Sequence, residues 1–102
     1  MKEIIRNRLE KMLEEYKELS YADIERVGWI DFESTMLEGK KYWPSIWSQK
    51  LVDDNVLLVV QLTKWYFLKI IGATDCIGFL IAPSGKITLV DEKYLMNEIG
   101  HP

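Results

Sequence analysis

One nucleophile and one acid meet in a stretch whose composition suggests a loop, Thr74-Asp75-Cys76, and His101 is the single histidine of the chain. A cysteine nucleophile needs a base within reach and a third group to orient that base. A Cys76–His101–Asp75 arrangement therefore requires the end of the chain to return to the start of a strand, and chain ends are the least constrained parts of a domain. Cys76 also opens an apolar run, Cys76 to Ala82, where a thiol packs as a small hydrophobe. Packing is the simpler account of Cys76.

The carboxylates lead to the same place. Asp31 and Glu33 lie two residues apart, on one face of a strand. Paired carboxylates divide acid and base roles only when their environments differ, and a solvated strand face does not separate them. Asp53-Asp54-Asn55 begins like a calcium loop but lacks the glycine at the sixth position and the glutamate at the twelfth. Asp91 and Glu92 suit the first turn of a helix, where the dipole favours negative charge. One cysteine and one histidine cannot complete a structural zinc site. The six glycines are dispersed and match neither phosphate-binding spacing. No catalytic residue, metal ligand or cofactor is expected.

The 102 residues suit one domain, 1–102, which at this length buries roughly two-thirds of its unfolded surface. A single cysteine excludes an internal disulfide and fits a reducing compartment. The charged N-terminus has no apolar signal core, and the longest apolar tract, Ile70 to Ala82, is interrupted by Asp75 and too short to span a bilayer. A soluble, cytoplasmic protein without membrane partners is the expectation.

Charge is unevenly placed along a chain of net charge −3: residues 1–38 carry −4, residues 39–72 carry +3 and residues 73–102 carry −2. The basic middle holds Tyr42, Trp43, Trp47, Trp65, Tyr66 and Phe67, half of the twelve aromatics. Bases stack on aromatics while cations track phosphate. The cations here are only Lys40, Lys41, Lys50, Lys64 and Lys69, and no arginine follows Arg26. Arginine is the usual stacking and bidentate group, so the pattern argues against nucleic acid and for lysines on a solvated sheet.

The elements that position these residues follow from periodicity. Ile5, Leu9, Met12, Leu13, Tyr16 and Leu19 recur at helical spacing and predict an amphipathic helix over 3–19. Ser20 ends it or caps a second short turn through Asp23 and Val27, and Gly28 is a stop signal. Trp29 to Leu37 alternates, with Ile30, Phe32 and Met36 on one side and Trp29, Asp31, Glu33 and Thr35 on the other. Glu38-Gly39-Lys40 is its turn. Lys41 to Val52 predicts a further strand, in which Pro44 implies an edge position or a bulge.

Val56-Leu57-Leu58-Val59-Val60 is apolar at both parities, the mark of a central strand covered on both faces. Leu68 to Ile71 either continues that strand or begins a crossing segment. Gly72 to Asp75 suggests a loop and Cys76 to Ala82 a buried strand. Pro83-Ser84-Gly85 is a hairpin turn, Lys86 to Val90 the last strand, and Asp91 to Glu98 a short C-terminal helix. The fold class is α+β: an N-terminal helix on an antiparallel sheet of about five strands, then the short helix.

The register of the hairpin at Asp53-Asp54-Asn55 decides the faces, because a slip by one exchanges them. A two-residue Asp54-Asn55 loop is preferred for the clean core face it makes. It pairs Trp47 with Leu62 and Leu51 with Leu58, and puts Trp43 and Trp47 among Val56, Leu58, Val60 and Leu62. Tyr42, Ile46, Lys50, Gln61, Thr63 and Trp65 then share the second face. A three-residue loop instead groups Trp43 and Trp47 with Gln61 and Trp65.

If no helix covers this second face, it is too apolar for open water and would bind something, most simply a second copy of the chain. The expected function is a non-enzymatic protein-interaction module, a homodimer or an inhibitor-like binder of a partner, as immunity proteins are. The candidate contact residues are Tyr42, Ile46, Lys50, Gln61, Thr63 and Trp65. The alternative is a small-ligand or catalytic protein with a pocket between helix and sheet, using Trp65, Asp75 or Cys76. A pocket walled by tryptophan and convergent polar groups would favour that alternative.

Overall fold

Val56 to Val60 are all fully buried, and the strand that carries them is the middle one of the sheet. The computed structural model describes residues 2–66 and 71–90. Within them the order is α1 (Glu3–Lys17), α2 (Tyr21–Glu25), β1 (Trp29–Asp31), β2 (Thr35–Leu37), β3 (Lys40–Lys50), β4 (Val56–Tyr66), β5 (Ile71–Ile81) and β6 (Ile87–Val90). Every pairing is antiparallel and the sheet runs β1-β3-β4-β5-β6, with β2 beside β3. The class is α+β, as the pattern predicts. The expected helix over 91–98 lies outside the described residues.

The apolar stripe of α1 buries Ile5, Leu9 and Leu13 against β4 and β5. It meets Leu58, Val60, Leu62, Ile77, Phe79 and Ile81, the even positions of β4 and the odd positions of β5. Each such side chain contributes about 1.5–3 kcal/mol by leaving water, so this helix face is the main tie between the layers. In α2 the Ser20 hydroxyl accepts the Asp23 N–H at 3.2 Å, and Ile24 completes the core. Gly28 follows with φ 64°, a conformation that suits glycine.

On the other face, Leu57 and Val59 are buried with Trp47, and Leu51, Cys76, Leu80 and Val90 pack beside them. A strand buried on both sides is apolar at both parities, which explains the Val56–Val60 run.

Three expectations are corrected. First, the β3–β4 hairpin does not turn on Asp54-Asn55. The Leu51 N–H donates to the Asn55 carbonyl at 2.8 Å, and the Asp54 N–H donates to the Leu51 carbonyl at 3.1 Å. The loop is Val52-Asp53-Asp54, with Asp54 at φ 68°. The Asp53 carboxylate accepts the Asn55 N–H, and the Tyr21 hydroxyl donates to the Asp54 carbonyl. Hence Trp47 pairs with Val59, not Leu62, and Trp43 with Thr63. Side-chain capping and a contact from α2 hold a loop that strand periodicity does not reveal.

Second, the single alternating strand expected over 29–37 is broken. Of the two readings of Pro44, an edge position or a bulge, the bulge holds, because β3 is paired on both sides. Asp31 pairs with Ser45 but Thr35 pairs with Tyr42, so Phe32, Glu33 and Ser34 face only Trp43 and Pro44. Proline has no N–H to offer there; its carbonyl still accepts the Phe32 N–H at 3.0 Å. The extra residue inverts the alternation, so Met36 pairs with Lys41 rather than sharing a face with Ile30, and Leu37 packs on the core. Third, Gly72 to Asp75 is strand, not loop: β5 pairs with β4 from Ile71 to Ile81 without a break.

Candidate functional site

All four tryptophans of the chain project from the sheet face opposite α1. Register places Trp29 beside Trp47, and strand alternation adds Trp43 and, from β4, Trp65. Trp29 and Trp47 stack with ring planes 6° apart and centroids 6.2 Å apart, the offset geometry that aromatic rings prefer. Trp29 remains 58% exposed and Trp65 40%.

Between the rings lies a concavity of about 370 Å³, to which Trp29, Trp43, Trp65, Asp31, Gln61 and Thr63 contribute walls. Its polar groups are fixed. The Trp29 Nε1–H and the Ser45 hydroxyl both donate to Asp31 Oδ1, each at 2.8 Å. The Trp47 Nε1–H donates to Gln61 Oε1 at 3.0 Å. Thr63 and Thr74 share a hydroxyl bond of 3.1 Å across β4 and β5. At the rim, Lys41 Nζ lies 5.8 Å from the centre of the Trp43 ring.

Donation from Trp29, and then from Ser45, holds the Asp31 carboxyl below the usual aspartate range, since bonds to the charged form favour it. Asp31 is therefore ionised at neutral pH. Among the described residues its second oxygen, Oδ2, accepts no hydrogen bond and no lysine or arginine pairs with it.

Of the six residues expected to share a contact face, Gln61, Thr63 and Trp65 do line this concavity. Tyr42 and Ile46 do not: at 8% and 2% exposure they belong to the core on the helix face. Lys50 stands beside α2, with Nζ 3.7 Å from a Glu25 carboxylate oxygen and 3.9 Å from one of Asp54. The altered register is the cause. Trp29, Asp31, Trp43 and Ser45 fall outside the expected contact set, although the three-residue-loop alternative groups Trp43 with Gln61 and Trp65. Their signal is the alternation Trp29-x-Asp31 and Trp43-x-Ser45-x-Trp47, readable only once the strands are aligned.

The alternative site disperses. Asp75 and Cys76 are successive residues of β5 and point to opposite faces, Cys76 opposite Gln61 and Asp75 opposite Leu62. Asp75 lines a separate cavity of about 300 Å³ with Lys2, Lys40 and Lys64. There the neighbouring Lys64, by contact and by charge, and then Lys2 hold the Lys40 ammonium below its ordinary pKa. His101 lies outside the described residues. A cavity of about 330 Å³ does lie between α1 and the part of β3 that holds Pro44 and Ile46, but Arg8, Lys11, Glu15 and Tyr16 dominate its helix side and none of Trp65, Asp75 and Cys76 lines it. Among the described residues no three histidine, cysteine or acidic side chains converge as a metal site, and no helix is long and apolar enough to cross a membrane.

The fold and site thus define an α+β protein that, among the described residues, sets two helices on one face of an antiparallel sheet and a tryptophan-walled concavity on the other. No protein-family model, curated protein or solved structure matches the chain.

Proposed function

We propose that the chain is a non-enzymatic binding module that recognises a partner protein through the tryptophan face of its sheet. The observation that carries this reading is the convergence of Trp29, Trp43 and Trp65 around one concavity with a fixed carboxylate in its wall. Tryptophan and tyrosine dominate binding energy at protein interfaces because they bury much area with few rotamers. Here the rings stand on paired strands rather than on loops, so little ordering is required on binding.

Catalysis is the weaker reading, because the Ser45 and Thr63 hydroxyls that line the concavity with Asp31 have no histidine, lysine or second carboxylate beside them in its wall. A free small molecule is the second reading; its support is the volume, which falls within the range of ligand pockets. The lone cysteine supports a cytoplasmic setting.

The test begins with solution mass by light scattering, for the native chain and Trp65→Asp. A dimer that the substitution dissociates makes the partner a second copy. If both are monomers, proteins captured from the native host by the native chain are purified and titrated calorimetrically against the native chain and Trp29→Ala. Binding that weakens at least about tenfold, the cost typical of a truncated hot-spot residue, supports the reading. Equal binding to both chains overturns it.

A further inference from the structure

Resting on that reading of the tryptophan face, we infer that its occupant is an organic cation: the alkylammonium or guanidinium group of a partner's lysine or arginine side chain, seated among the rings against Asp31 Oδ2. The inference stands on charge complementarity. Asp31 is held in place by two donors on one oxygen, while the other oxygen accepts nothing among the described residues. Its charge has no lysine or arginine partner there.

The walls of the concavity are indole rings, from Trp29, Trp43 and Trp65. The face of an indole carries negative potential and attracts cations more strongly than any other side chain ring. The site already shows that preference at its rim, where Lys41 Nζ sits 5.8 Å from the Trp43 centroid. A carboxylate set among indole rings is complementary to one charge sign. It repels phosphate and carboxylate ligands, and a neutral ligand such as a sugar leaves the Asp31 charge without a counterpart. The volume of about 370 Å³ admits the end of a long side chain with its methylenes against the rings.

The test uses the full chain and probes of one shape and different charge. Nα-acetyl-lysine methylamide, Nα-acetyl-arginine methylamide and the uncharged Nα-acetyl-norleucine methylamide are titrated while the indole N–H resonances are followed by NMR. Methyl glucoside is the neutral polar control. The lysine and arginine probes should shift the Trp29 and Trp43 signals with saturable, millimolar curves; norleucine and the glucoside should not. Asp31→Asn keeps an oxygen to accept from Trp29 and Ser45, so it removes charge without removing the acceptor. It should weaken the cationic probes at least about threefold, the scale of an exposed ion pair, and abolish their salt dependence.

Equal shifts from norleucine or glucoside, unchanged affinity in Asp31→Asn, or no shift from either cation overturns the inference. Trp29→Ala separates this result from the broader one. If Trp29→Ala loses the purified partner while Asp31→Asn retains it, the face is an interface and its ligand is not a cation. If both variants retain the partner, the interface reading fails as well.

Discussion

The indole of Trp65 occupies the space that a side chain at position 72 would need. The two residues are direct cross-strand partners, and a Cβ built on Gly72 would lie 2.8 Å from Trp65 Cε3. A glycine covered by a cross-strand aromatic keeps the ring against the sheet and fixes its pose. Gly72 thus shapes the concavity without lining it.

Gly72→Ala should push the Trp65 ring outward rather than break the strand, because the obstacle is a movable side chain. The expected result is a shifted Trp65 indole resonance and weakened binding on the tryptophan face. Stability should change by less than about 1 kcal/mol, the span of strand propensities. Chemical denaturation and the same NMR titration check both parts.

Gly78→Ala should behave oppositely. Gly78 is buried opposite Val59, and a Cβ there would run into the Leu58 carbonyl oxygen of the central strand. Backbone in the middle of a sheet cannot step aside. A loss of about 1–3 kcal/mol is expected, as for other overpacked core positions, read as a lowered urea midpoint.

Asp31 links the site to acid stability. Its folded pKa lies below the ordinary value because Trp29 and Ser45 donate to it. Its contribution to stability is therefore complete above the unfolded pKa of about 3.9 and is lost as pH falls through the lower, folded pKa. Below about pH 4 the native chain should lose stability faster than Asp31→Asn. Ser45→Ala should raise the Asp31 pKa toward the ordinary value in a carboxyl NMR titration.

Lys40 makes the opposite prediction at the other end of the scale. Lys64 and Lys2 disfavour its charged form in the fold. The resulting penalty is present below the folded pKa and is relieved as pH rises through it toward about 10.4. Lys40→Gln should raise the urea midpoint at neutral pH. The gain should shrink at high salt, where exposed charges are screened.

Hydropathy alone determined the layers of this protein. The stripe Ile5–Leu9–Leu13 made α1, the two-parity run Val56–Val60 made the middle strand, and Pro83-Ser84-Gly85 made the last hairpin. The first two patterns report burial and the third a turn's backbone conformation, and both are local demands on residue type. Tertiary structure decided the register, and with it the candidate site. Whether Trp43 and Trp47 point toward α1 or away from it depends on one residue more or less in a turn, and the composition of either strand is compatible with both. The capping of Asn55 by Asp53, the hold of Tyr21 on Asp54 and the bulge opposite Pro44 settled that choice. They brought Trp29, Asp31, Trp43, Gln61 and Trp65 to one face, because β-strand side chains alternate strictly and a slip of one residue moves every one of them to the other side of the sheet.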